Sequence, residues 1–158
     1  MREIRRKDKI WNEAEALQLL TSGEYGFLAM VNVDGGGYGL PFSYVWDGKQ
    51  AIYFHCALEG HKIDNLGQEN RVTFMVVGAT QVLPDKFSTA YQSVMVFGNI
   101  SQEVPEEERR EALRLLVNKY SPDYKETGEN YIQGSFHKTA ILKLNIGYIT
   151  AKSRAMHP

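Results

Sequence analysis

Two glycine-bearing turns set among β-prone runs constrain this chain most. Tyr25–Val33 is apolar and β-prone, and Asp34-Gly35-Gly36-Gly37 follows it as a turn with little steric restriction. Tyr38–Trp46 is a second run, and Asp47-Gly48, a type I′ hairpin signal, leads into a third at Ala51–His55. The three runs predict an antiparallel meander. Pro41 lies inside the second run and has no N–H to give to a ladder. That strand therefore needs an edge, a bulge or a ligand alongside Pro41.

Helices punctuate the rest. Asn12 can cap a first helix, with Glu15 at the reciprocal capping-box position and Ala16, Leu17 and Leu20 on its apolar side. Gly23 is expected to stop it in the left-handed conformation. A short helix fits His61–Gln68, with Ile63 and Leu66 inward, before a strand at Arg71–Val77. Gly78–Ala90 has no period and reads as a loop. Ser93–Ile100 alternates again, with Val94 and Val96 on one face and Met95 and Phe97 on the other. Pro105 suits the first position of a helix whose first turn carries Glu106, Glu107 and Glu108. Leu113, Leu116, Val117 and Tyr120 give it an apolar stripe, and Ser121-Pro122 ends it. Two late strands, Thr139–Leu144 and Gly147–Lys152, flank Asn145-Ile146. Six or seven antiparallel strands with a few helices make a mainly-β protein. A barrel with peripheral helices is favoured over an open sheet with bare edges.

Composition narrows the function. At 158 residues the chain is expected to be one domain, 1–158, opened by a basic arm at 1–10. Eighteen Lys+Arg against 19 Asp+Glu give a net charge of −1, with no broad electrostatic footprint for nucleic acid or an acidic membrane. No apolar run approaches the roughly 20 residues that span a bilayer, and the start lacks the apolar core of a signal peptide. The expectation is a cytoplasmic protein. Cys56 is the lone cysteine, which excludes an intrachain disulfide and a cysteine-rich zinc site. It reads as a small buried hydrophobe before a thiolate nucleophile. His55, His61, His137 and His157 show no metal-ligand spacing, Gly35-Gly36-Gly37 is a hairpin and not a P-loop, and no G-x-S-x-G elbow occurs.

The informative segment is Ile52-Tyr53-Phe54-His55-Cys56-Ala57-Leu58-Glu59-Gly60-His61-Lys62. It leaves a strand, turns near Gly60 and enters a helix with two potential cations in its first turn. A helix N-terminus is itself positive, so cations there are mildly unfavourable. His61 and Lys62 make sense if an anion such as a phosphate joins the free amides. Otherwise Lys62 simply reaches solvent.

At Tyr53-Phe54-His55-x-Ala57-x-x-Gly60-x-Lys62, followed by Asn70-x-Val72-x-Phe74, the sequence resembles the flavin-binding split-barrel family that includes pyridoxamine 5′-phosphate oxidase. It is most similar to the branch associated with 5-nitroimidazole antibiotic resistance. Lys7-Asp8, Gly26-x-Leu28-Ala29, Pro41-x-x-Tyr44 and Ser93-Val94-x-Val96-x-Gly98 extend the resemblance over residues 5–100. It implies an FMN-binding split β-barrel homodimer with two flavins between the subunits. By position, Pro41, Phe42, Ser43 and Tyr44 would run beside the flavin ring and ribityl chain. Phe54, His55 and Cys56 would adjoin it, and His61 and Lys62 would contact the phosphate. Ser93 sits where oxidase relatives place a polar residue on the flavin, and Arg154 would approach from the C-terminal segment. Cys56 departs from the small residue expected of the resistance branch, and Lys9 from an expected arginine.

The resemblance implies an FMN-dependent oxidoreductase acting on a small aromatic or nitro compound, with a nicotinamide cofactor or another reductant as electron donor. His55 is the candidate catalytic residue, since an ordinary histidine titrates near pH ~6.5. Its alternative role is a neutral neighbour of the flavin. The rival readings are a non-catalytic FMN carrier, or an oxidase-like protein with another substrate, pyridoxal phosphate or a haem-like ligand.

Overall fold

The computed structural model describes residues 5–154. Its strands are β1 (Gly26–Val31), β2 (Gly37–Phe42), β3 (Val45–Trp46), β4 (Ala51–Ala57), β5 (Arg71–Leu83), β6 (Ser88–Ser101) and β7 (Thr139–Arg154). The helices are α1 (Glu13–Ser22), α2 (His61–Gln68), α3 (Glu106–Tyr120) and α4 (Lys125–Ser135). The strands form one antiparallel sheet in the order β2-β1-β5-β6-β7-β4-β3.

That order closes the sheet into a barrel. Laid flat, seven strands would hold their outer members roughly 29 Å apart. Here β2 and β3, the two ends of the order, are joined only by Ser43 and Tyr44, which span at most roughly 11 Å. The sheet must curl until its edges meet. The β1–β2 and β3–β4 hairpins form as their turns dictate, but they lie at opposite ends of the order and not in one meander. Pro41 falls on β2, an edge of the ladder, paired with Phe27 on one side.

Alternation then sorts the side chains. Leu28, Phe42, Phe54, Phe74, Val96 and Leu144 fill the barrel with their neighbours, and α1 and α2 add Ala16, Leu20 and Leu66 to the same core. A second core lies outside the barrel, where Val45, Ala51, Tyr53 and Ile141 meet Leu113 and Leu116 of α3 and Ile132 of α4.

Four local features differ from the sequence expectation. Gly78–Ala90 is not a loop: β5 and β6 run on past a bulge at Val77/Thr80 to Leu83↔Ser88, anchored by buried Leu83 and Ala90. β7 is one strand, because an extra residue at Gly147 lets Leu144 and Ile149 face the same interior despite their odd spacing. The strands crowd at this bulge, and a Cβ on Gly98 would lie 2.0 Å from the Asn145 carbonyl oxygen. Gly23 ends α1 with an ordinary φ of −61°; it is needed for space, since a Cβ there would meet Val76 at 2.6 Å. Pro105 is the N-cap of α3 and not its first residue.

At the other end of the chain, Asn12 caps α1 through Ala14 and Glu15 N–H as expected, while the Glu15 carboxylate accepts from the Trp11 indole. The basic arm is held from Lys7 onward by a short 3₁₀ turn and a bridge from Ile10 to Lys152. Its first four residues lie outside those described.

Candidate functional site

The strand–turn–helix from β4 to α2 places its side chains by parity. Phe54 points into the barrel and is fully buried; His55 points outward. The outward face meets a cavity of about 380 Å³ between the barrel and the α3–α4 pair. Leu113, Leu116, Val117 and Ile132 form its apolar walls, and Ser43, Tyr131 and Thr139 bring hydroxyls to it. His55 has no hydrogen-bond partner among the described residues, and burial pushes its pKa below the usual histidine value. The shift favours the uncharged imidazole, and neither ring nitrogen is engaged by a described residue. Such a group can accept a proton or take a hydrogen bond.

Cys56 packs half-buried against the barrel core. Burial pushes its thiol up, and nearby Lys62 offsets this only in part. A protonated thiol is a poor nucleophile, so Cys56 acts here as packing.

α2 begins at Gly60, whose φ of 129° favours glycine and whose side chain cannot cap. The opening turn thus has no side-chain acceptor. Lys62 is half-buried beside it and makes no ion pair among the described residues. His61 has partners of its own: its Nε2 lies 2.6 Å from Asn32 Oδ1, and its ring stands edge-on to Tyr38 at 4.9 Å. Free amides with one unpaired ammonium are the donor set that an anionic phosphate requires. A phosphate-bearing group fits this turn.

The other expected residues divide in two. Pro41, Phe42, Ser43 and Tyr44 lie at the closure between β2 and β3, close to the His55 cavity through Ser43. The side chains of Phe42, Tyr44 and Phe54 are committed to the barrel core and do not face a ligand. Tyr44 also donates its hydroxyl to the Leu20 carbonyl at 2.7 Å. Ser93 and Arg154 are elsewhere. Ser93 pairs with Lys152, and Arg154 with Tyr91, whereas His55 pairs with Ile141 at the opposite end of β7. One chain does not bring the two groups together.

Sequence reasoning missed the outer wall of the cavity. Tyr120 counted as part of an apolar stripe, yet its hydroxyl reaches Ser43 and the Tyr44 backbone. α4, which supplies Tyr131 and Ile132, carries two glycines and no side-chain cap. Among the described residues no group of three His, Cys, Asp or Glu could hold a metal ion, and no helix is long and apolar enough to cross a membrane.

Residues 12–153 match the family model described as pyridoxamine 5′-phosphate oxidase. The chain belongs to the pyridoxamine 5′-phosphate oxidase family. Solved structures agree on the fold. A proposed 5-nitroimidazole antibiotic resistance protein from Bacteroides thetaiotaomicron is 19% identical, with a TM-score of 0.73 over 91% of this chain and 85% of that one. The FAD and heme binding protein of Mycobacterium smegmatis is 18% identical, with a TM-score of 0.79 over 93% and 73%. The flavocytochrome Anf3 of Azotobacter vinelandii is 18% identical, with a TM-score of 0.80 over 99% and 74%. No protein of curated function matches the sequence. Within the pyridoxamine 5′-phosphate oxidase family, the His55 cavity and the α2 start are this chain's candidate site.

Proposed function

We propose that this protein is a flavin-dependent oxidoreductase that binds FMN between two copies of the chain and reduces a small aromatic or nitro compound. The carrying observation is the course of one short segment. β4 presents an unpartnered His55 to an apolar-walled cavity, and the next turn opens α2 without a cap beside unpaired Lys62. The names of the Mycobacterium smegmatis and Azotobacter vinelandii relatives support a flavin, and that of the Bacteroides relative supports a nitro substrate.

A bound flavin supplies the electron transfer that the side chains cannot. The chain's residues do the rest. Lys62 and the first α2 amides hold the phosphate, and the Pro41–Ser43 segment orients the ring. His55 holds a proton donor or acceptor against the substrate. Leu113, Leu116 and Ile132 exclude water and favour a flat apolar ring.

Two features support the second copy. Ser93 and Arg154 can join the His55 group only from another chain. Outward-facing Phe27 and Val31 of β1, Val77 of β5 and Tyr148 of β7 are also each at least 41% exposed. An apolar face of this kind is what a symmetric dimer buries.

The test is anaerobic mixing of the reduced flavoprotein with a 5-nitroimidazole. Wild type is expected to reoxidise with loss of the nitro absorbance, and His55→Ala to retain flavin but react at least about tenfold more slowly. Reoxidation at the buffer-blank rate by wild type would leave a carrier and remove the enzyme reading.

A further inference from the structure

The hairpin joining β5 to β6 ends in a residue that ordinary turn chemistry does not select. Phe87 is 99% exposed and holds a φ of 46°, the left-handed region where glycine or asparagine costs least. It is the one non-glycine residue with positive φ among those described. An exposed aromatic ring in a disfavoured backbone conformation carries two costs within the free chain. Such a residue suggests a role outside its own fold.

The tip is held in place. The ladder runs unbroken from Thr80↔Tyr91 to Leu83↔Ser88, and Leu83 and Ala90 bury its inner side. Val82, 70% exposed, extends the apolar surface toward Phe87. The base of this hairpin carries Ser93 and, through Tyr91, the strand end at Arg154. These are the residues that the dimeric flavin site draws from the second copy. Continuing from Ser93 at about 3.3 Å per residue, the tip lies on the order of 15–20 Å beyond it. In that dimer, a chain that delivers Ser93 to the other copy's flavin also brings Phe87 to within that distance of it. Beside the flavin in the site proposed above, the His55 cavity presents an apolar, aromatic rim, with Tyr131 of α4 75% exposed at its edge.

We propose that Phe87 of each copy closes the His55 cavity of the other, packing on Tyr131 and setting which aromatic substrates enter. The inference rests on the dimeric flavin site proposed above and adds to it a specificity-determining residue supplied in trans. A C2 arrangement makes the contact reciprocal, so both cavities close alike. Phe87 cannot serve its own cavity, because its hairpin stands at the far end of β6 and β7 from His55.

The direct test places the photo-crosslinker p-benzoylphenylalanine at position 87 in the FMN-loaded protein. Illumination is expected to give a covalent dimer whose adduct maps to residues 113–139 of the other copy. A flavin-loaded dimer with no such adduct, or with the adduct elsewhere, overturns the proposal and leaves the flavin site standing. A monomer, or a protein that takes no flavin, overturns the dimeric flavin reading itself and this proposal with it.

Phe87→Gly supplies a second arm. Glycine relieves the left-handed φ, so the subunit should be at least as stable as wild type. KM for a nitroaromatic should rise roughly tenfold or more, as expected for losing one buried aromatic contact. An unchanged KM overturns the proposal even where the crosslink forms.

Discussion

The hydroxyl of Tyr120 lies 2.8 Å from both the backbone N–H and the carbonyl oxygen of Tyr44. The same hydroxyl is 2.8 Å from the Glu24 carbonyl, so its single proton serves two acceptors while its oxygen receives the Tyr44 N–H. The last residue of α3 thereby fastens the two-residue crossover that closes the barrel, next to Ser43 at the cavity.

Tyr120→Phe keeps the ring and removes that link. The part-buried Tyr44 N–H then loses its acceptor, which costs roughly 1–3 kcal/mol. Urea unfolding should show a lower midpoint with an unchanged slope. Flavin affinity should fall as well, because Ser43 loses its neighbour. Wild-type stability in this variant would mean that the crossover is held without Tyr120.

The fold was legible where its signals are local. Asn12 marked α1, Gly60 and His61 marked α2, and Pro41 marked an edge. Strand order was not legible, because hairpin turns describe neighbours and the Ser43-Tyr44 crossover decides which hairpins meet. The outer part of the β5–β6 hairpin is exposed on both faces for most of its length, so it lacks the alternation that betrays a strand. The Gly147 bulge broke the parity of β7 and made one strand read as two. In the site, His55 and Lys62 stood out because a single strand–turn–helix carries both. The facing wall, Leu113 to Ile132, comes from packing of α3 on α4, which no local pattern encodes.

Lys119 gives a pH signature. Its Nζ is buried without a hydrogen-bond partner, 3.7 Å from the centre of the Tyr44 ring. Burial lowers its pKa from 10.5 to about 8, so the folded protein binds fewer protons than the unfolded chain between those values. Stability therefore rises with pH across that window and carries the full penalty below it. Tyr44 and Tyr53, both pushed up by burial, keep their protons when folded and reverse the trend above about pH 10. Lys119→Met should lack the rise between pH 8 and 10, so its stability relative to wild type falls steadily across that range. Parallel pH curves for the two proteins would contradict this.

Lys62→Ala separates phosphate binding from general structure. A charge-assisted contact contributes about 1.5–3 kcal/mol, or roughly ten- to a hundredfold in FMN affinity. Riboflavin, which has no phosphate, should bind wild type and variant alike. Fluorescence titration of both ligands against both proteins reads the difference. Equal losses for FMN and riboflavin would place the phosphate elsewhere.

The central claim is a flavin shared between two copies, and native mass spectrometry of the protein saturated with FMN tests it most directly. The account predicts a dimer carrying two FMN molecules, with singly loaded or apo dimers only below saturation. An FMN-bound monomer, or a dimer that remains flavin-free at saturating FMN, would contradict it.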